Sequence, residues 1–196
     1  MRRSLVKAAL PLLLITAMLS SPSCIFDPKE DPVIQVKDPI EWPDMTVRDD
    51  VIEVVVLGYG NPRDGGSVSE YNALLHSQYF FKLHEDDVLN PGDSQIMTRV
   101  EDLASTEWLF GVNTMLELTI TPEVGSWDAV DPPTVEGDPC ENCWETTRQY
   151  FIRAQLEDEG TIFQSPPERA FVRIIVAPDE NDATKWVLRA MFDLGI

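Results

Sequence analysis

Residues 144–156 read WETTRQYFIRAQL. Trp144, Thr146, Arg148, Tyr150, Ile152, Ala154 and Leu156 fall at alternate positions. Successive side chains of a strand point to opposite faces, so these residues line one face of a long strand. The same period of two continues on both sides. Leu116, Leu118 and Ile120 alternate with polar residues, and FVRIIV at 171–176 makes a further strand. Asp179–Asp182 (DEND) is turn chemistry. KWVLRAMFD at 185–193 reads as the closing strand, although a helix also fits it.

Upstream the period lengthens. Ile96, Val100, Leu103, Ala104 and Trp108 recur at helical spacing, which predicts a helix over 94–110 with that row buried. Trp108 is then read as a core residue in preference to a ligand contact. Gly111 is placed to end the helix. Ser67 with Glu70 forms a capping box, and Tyr71, Leu74 and Leu75 share one face of the helix that follows. QYFFKL at 78–83 reads as a strand, HEDDVLNPGD at 84–93 as a loop and GNPRDGG at 60–66 as a turn. VIEVVVL at 51–57 has strand-like composition, and its period decides nothing. The capping arrangement of Thr46 and Asp49 favours a helix. Helices first, then long strands, argue for an α+β domain: N-terminal helices packed on a curved antiparallel sheet.

Three stretches carry a family resemblance. Gly58-Tyr59 is followed by SEYNALLH at 69–76 and QYFF at 78–81; RVEDLASTEWLF spans 99–110; Lys185-Trp186 leads to Phe192-Asp193. In this order they resemble the nuclear transport factor 2-like superfamily (SnoaL-like, cystatin-like cone), in particular exported bacterial lipoproteins carrying such a domain. The resemblance covers roughly residues 46–194, and it too favours the helix at 51–57. It implies a curved sheet wrapped by helices around a pocket, a fold shared by enzymes and non-enzymes, so the fold alone assigns no activity. Residues 122–143 depart from it as a long acidic insertion.

The first residues supply an address. Arg2, Arg3 and Lys7 precede the apolar run AALPLLLITAML at 8–19, the pattern of a secretory signal peptide over residues 1–23. The run is too short to span a bilayer, which takes about 20 apolar residues. Small residues then lead to Cys24, the expected lipidated first residue of the mature chain, although Ser21 and Pro22 depart from the usual pattern. Residues 24–45, with Pro28, Pro32, Pro39 and Pro43, read as a lipid anchor and proline-rich tether before a domain over 46–196. The expectation is therefore an exported protein of the cell envelope, held by lipid on the periplasmic side or at the outer membrane.

Composition narrows the partners. The chain has 34 acids against 15 bases, a formal charge of −19; losing Arg2, Arg3 and Lys7 takes it to −22. Such a surface repels phosphate backbones, so nucleic acid is not an expected partner. The expected attachment to a membrane is through the lipid. An envelope protein or an unidentified small ligand is the expected partner, and a dimer is possible.

Cys140-Glu-Asn-Cys143 lies in a Pro- and Gly-rich loop, away from any strand-to-helix junction. In an oxidising compartment it reads as a loop-pinning disulfide, not as a redox motif. Two thiols are too few for structural zinc. His76 and His84 stand at expected element ends, where histidines are commonly exposed, and their spacing supports no metal site. The acids at 122–143 match no calcium loop. No cofactor is expected, and no catalytic residue is assigned. Tyr79, Trp108, Tyr150, Arg189 and Asp193 are the candidates for lining a pocket. The leading expectation is a non-enzymatic module that binds a ligand or partner. Alternatives are an isomerase- or dehydratase-like enzyme using a pocket carboxylate, and a structural envelope protein. The enzyme reading requires a carboxylate or histidine about 3 Å from a tyrosine hydroxyl inside the pocket.

Overall fold

A computed structural model describes residues 39–63, 67–88, 93–121, 126–156, 162–165 and 170–195. The signal region, Cys24 and most of the proline-rich segment lie outside the described residues. Residues 41–196 form one compact unit.

The helices are α1 (Arg48–Gly60), α2 (Ser67–Leu74) and α3 (Arg99–Val112). The strands are β1 (Leu75–Lys82), β2 (Ile96–Thr98), β3 (Asn113–Ile120), β4 (Asp128–Ala129), β5 (Thr134–Val135), β6 (Asp138–Pro139), β7 (Trp144–Leu156), β8 (Ile162–Gln164), β9 (Phe171–Pro178) and β10 (Trp186–Asp193). The main sheet runs β2-β1-β10-β9-β7-β3, with β4 and β8 also paired to β7. Its pairings are antiparallel except one. β1 runs parallel to β10, because β1 lies between two helices in sequence instead of in the strand meander.

The long strand has the bounds its alternation requires, and it curves the sheet. The first part of β7, residues 144–149, pairs with β9, while residues 150–156 pair with β3. One strand thus belongs to two stretches of sheet that turn away from each other. The inner face carries Ile120, Val172, Ile174, Val176 and Leu188, which pack on Val51, Val54, Val55, Tyr71 and Leu74 of the helices. Residues 51–57 are helical because this sheet needs a cover: Val51, Val54 and Val55 are buried at spacings of three and four.

The opposite face is covered by part of the acidic insertion. Phe80, Ile175, Ala177, Ala190 and Phe192 point outward from the sheet. They are buried with Val130, Val135, Cys140 and Cys143. Cys140 and Cys143 are joined in a disulfide. The β5–β6 hairpin turns through Glu136 and Gly137 at φ 50° and 91°, the two positive values of a type I′ turn. Asp128, Asp131, Glu136, Asp138 and Glu141 are exposed. Among the described residues no group of acids, histidines and cysteines is arranged to hold a metal.

Several boundaries differ from those expected. The first helix starts after Val47, whose N–H donates to Asp50 at 3.2 Å; Thr46 instead bonds Asp44. Ser67 is already helical, and its hydroxyl donates back to the Asn61 carbonyl at 2.6 Å. Leu75 opens a strand instead of extending α2. Residues 96–98 pair with β1 as a strand, so α3 begins at Arg99. It continues through Gly111 to Val112, and Asn113 Nδ2 caps it by donating to the Leu109 carbonyl at 2.7 Å. His76 is largely buried against Glu180, at 3.4 Å, instead of exposed.

The start of α1 is fixed to the sheet by its cation. The Arg48 guanidinium lies 3.7 Å from the ring centre of Trp144 and 4.7 Å from that of Trp186. Cation–π contacts contribute about 0.5–2 kcal/mol. Arg48→Ala is therefore expected to lower unfolding stability by about 1–2 kcal/mol, and Arg48→Lys by less. Urea denaturation measures both, and an unchanged midpoint for the alanine variant would exclude the contact as a stabiliser.

Candidate functional site

The inner face of the sheet and the three helices line a partly open cavity of about 420 Å³. Val55 and Tyr59 of α1 and Tyr71 of α2 form one side, and Asp102, Ser105, Thr106, Trp108 and Leu109 of α3 another. The sheet contributes Phe81, Met97, Leu118, Ile120, Tyr150, Ile152, Val172, Met191 and Asp193.

The phase of α3 sets the polar part of this wall. Thr98 and Glu101 cap the helix reciprocally: the Thr98 N–H donates to Glu101 Oε2 at 2.8 Å, and Thr98 Oγ1 accepts from the Glu101 N–H at 3.5 Å. From that start, Asp102, Thr106 and Phe110 lie inward at i, i+4 and i+8 and are buried. The apolar row read from the sequence lies mostly outward instead, with only Leu103 of it partly buried against the core. Val100 is 74% exposed and Trp108 61%. Trp108 is thus a rim residue of the cavity, not a core residue. The inward row includes an acid because it faces a cavity, where a polar atom can meet a ligand or water.

Asp102 is the centre of this wall. It is 7% exposed, and its Oδ2 accepts from the Tyr71 hydroxyl at 2.8 Å. Burial pushes its carboxyl up to about 6, against the lowering influence of that hydrogen bond. The Tyr59 hydroxyl is 3.5 Å from Thr106 Oγ1; burial pushes Tyr59 up to about 12. Burial also raises Tyr71 and Tyr79 well above the ordinary tyrosine value, with Asp102 adding to both. At another part of the lining, the Tyr150 hydroxyl donates to Asp193 Oδ2 at 3.4 Å. Burial, then the Asp193 charge, raises Tyr150. Asp87, beside Asp193, is raised first by burial and then by that neighbouring carboxylate.

Of the side chains proposed from sequence, Trp108, Tyr150 and Asp193 line the cavity. Tyr79 shares the inward side of β1 with Phe81 but is buried in the core behind the lining. Arg189 lies on the opposite side of the sheet. A bulge between Leu188 and Ala190 interrupts the alternation of β10. Without it, Arg189 would share a face with Met191 and Asp193; one inserted residue reverses that face. Arg189 is 1% exposed, donates to the Gln78 carbonyl and lies 3.9 Å from Asp138 of the disulfide hairpin. A second, polar cleft of about 700 Å³ lies beside α2, between His76, Arg99 and Glu180. Its Arg99 is held by the Asn72 side chain and the Leu75 carbonyl, and its His76 by Glu180.

Helices wrapped on one face of a strongly curved sheet around an apolar cavity define the nuclear transport factor 2-like cone fold, and this chain has it. No protein-family model and no curated protein matches the sequence. Solved structures do match. A nuclear transport factor 2-like superfamily protein from Salmonella enterica serovar Typhimurium aligns over 74% of this chain and 86% of its own, at 9% identity and a TM-score of 0.52. A protein described as a putative aromatic ring hydroxylase from Novosphingobium aromaticivorans covers 81% and 92%, at 7% identity and a TM-score of 0.56. A conserved protein from Planctomyces limnophilus covers 76% and 94%, at 14% identity and a TM-score of 0.51. Identities this low concern the fold alone.

Proposed function

We propose that this protein binds a small, mainly apolar molecule in the cone, and that it does so in the cell envelope, tethered through Cys24. The supporting observation is the cavity itself: about 420 Å³, walled mostly by aliphatic and aromatic side chains, with few polar groups. Specific small-molecule sites have this size and this mixture. The apolar walls provide affinity, and Asp102 and Asp193 fix orientation. The signal pattern at 1–23 supports the location.

N-phenyl-1-naphthylamine, a neutral probe that fluoresces in apolar surroundings, tests the reading. The wild type is expected to enhance its emission saturably. Leu118→Trp, which places an indole in the cavity, is expected to weaken binding at least tenfold while leaving the circular dichroism spectrum unchanged. Saturable binding that is equal in both proteins, or no binding to wild type, would overturn it.

One observation favours a second reading. A carboxylate 2.8 Å from a tyrosine hydroxyl, inside a pocket, is the geometry required of the enzyme alternative. A carboxyl raised to about 6 is suited to act as a general base near neutral pH. In that reading Asp102 removes a proton from carbon next to a carbonyl of the bound molecule. Deuterium incorporation into 2-tetralone in heavy water, followed by NMR, is the assay. The reading expects protein-dependent exchange that Asp102→Asn abolishes; exchange unaffected by the substitution would refute it.

A further inference from the structure

We propose that the ligand of this cavity is an apolar molecule carrying a protonated amine. This inference rests on the ligand-binding reading above and adds the chemical class. Its basis is a mismatch between the charges that line the cavity and those available to balance them. Asp102 and Asp193 both line it, while no lysine, arginine or histidine among the described residues does. Elsewhere Arg99 bonds Asn72, Arg173 pairs with Glu145, Lys82 pairs with Glu136 and Arg189 lies 3.9 Å from Asp138, while His84 interacts with Asp87 outside the lining.

The two carboxylates are only partly satisfied from within. Among the described residues Asp102 accepts one hydrogen bond, from the Tyr71 hydroxyl. Asp193 takes the Tyr150 hydroxyl and the Gly195 N–H, but it also faces the carboxyl of Asp87. A neutral ligand filling the cavity would displace water and leave the buried Asp102 carboxylate without a counter-ion, which is unfavourable. An anionic ligand would add repulsion. An ammonium donates up to three hydrogen bonds and has no acceptor, matching a site that offers carboxylate oxygens. Tyr59, Phe81, Trp108 and Tyr150 also line the cavity, and an ammonium that meets the face of such a ring is attracted to it. The net charge of −19 raises the local concentration of any cation.

The test is a matched series, 4-phenylbutylamine, 4-phenylbutanol and 4-phenylbutanoate, competing with N-phenyl-1-naphthylamine at pH 7.5. The amine is expected to bind at least tenfold more tightly than the alcohol, and the carboxylate most weakly. Asp102→Asn and Asp193→Asn should each reduce the preference of amine over alcohol at least threefold. Equal competition by amine and alcohol would overturn the inference while the pocket reading stands. A preference retained in both variants would also overturn it, because it would then belong to the overall charge. If Leu118→Trp leaves probe binding intact, the pocket reading fails first, and the amine assignment with it.

Discussion

Asp102→Asn should make the protein more stable at neutral pH by about 2–3 kcal/mol, and the gain should vanish in mild acid. Burial pushes the folded-state carboxyl from 3.8 up to about 6. Each tenfold weakening of the acid corresponds to about 1.4 kcal/mol between protonation states, which gives about 3 kcal/mol as an upper figure. The sign follows from proton binding. Between about pH 4 and pH 6 the folded state holds more protons at this site than the unfolded chain, so its stability falls as pH rises through that window. Below it both states are protonated and nothing is lost; above it the full cost is present. Asparagine keeps an oxygen for the Tyr71 hydroxyl and never ionises. Urea midpoints of the two proteins should therefore converge near pH 4 and separate above pH 6. Tyr59, Tyr71 and Tyr79 surround the group and stay neutral throughout the window, so none of them obscures it. A stability difference independent of pH would show that Asp102 is not a strained buried acid. A buried charge that weakens the fold is understandable where binding uses it, because stability is commonly given up at functional sites.

The second large effect is expected at the disulfide. Cys140 and Cys143 are both 4% exposed, packed with Phe80, Ile175 and Phe192 on the outer side of the sheet. The bridge closes a short loop, for which lost chain entropy contributes about 2 kcal/mol. Replacing both cysteines by alanine should cost about 2–3 kcal/mol. Replacing both by serine should cost more, about 4 kcal/mol or above, because each buried hydroxyl left unpaired adds about 1–3 kcal/mol. Differential scanning calorimetry of the folded variants separates the two costs. Probe binding should be unchanged, because this cluster and the cavity lie on opposite faces of the sheet. Equal melting temperatures for the alanine and serine pairs would mean that the hairpin does not hold these side chains away from water. A loss of probe binding would mean that the two faces are coupled.

Particular residues differ in how plainly the sequence announces them. Trp144–Leu156 is plain because a period of two over thirteen positions has one explanation, a half-buried strand. The cysteine pair is legible because a spacer of two residues leaves little conformational choice. Asp102 is not. In the sequence it is one acid among 34, and the apolar residues around it suggest a buried row one face away. The signal that could have found it is the row of α3 that mixes Asp, Thr and Phe at i, i+4 and i+8. Arg189 escapes the sequence for a different reason. A bulge is a property of two paired strands, and a single strand's alternation contains no sign of it.

The sequence by itself determined the secondary structure in its broad order, the strong negative charge, the disulfide and the candidate export signal. These depend on periodicity, composition and contacts between near neighbours. Only the tertiary structure decided that one face of α3 looks into a cavity and the other into solvent, and that Arg189 leaves that cavity while Asp102 enters it. It also decided that the acidic insertion covers the outer face of the sheet. Each of these is settled by which distant surfaces meet, and the free energy that selects such a meeting belongs to the assembled core, not to any single stretch of chain.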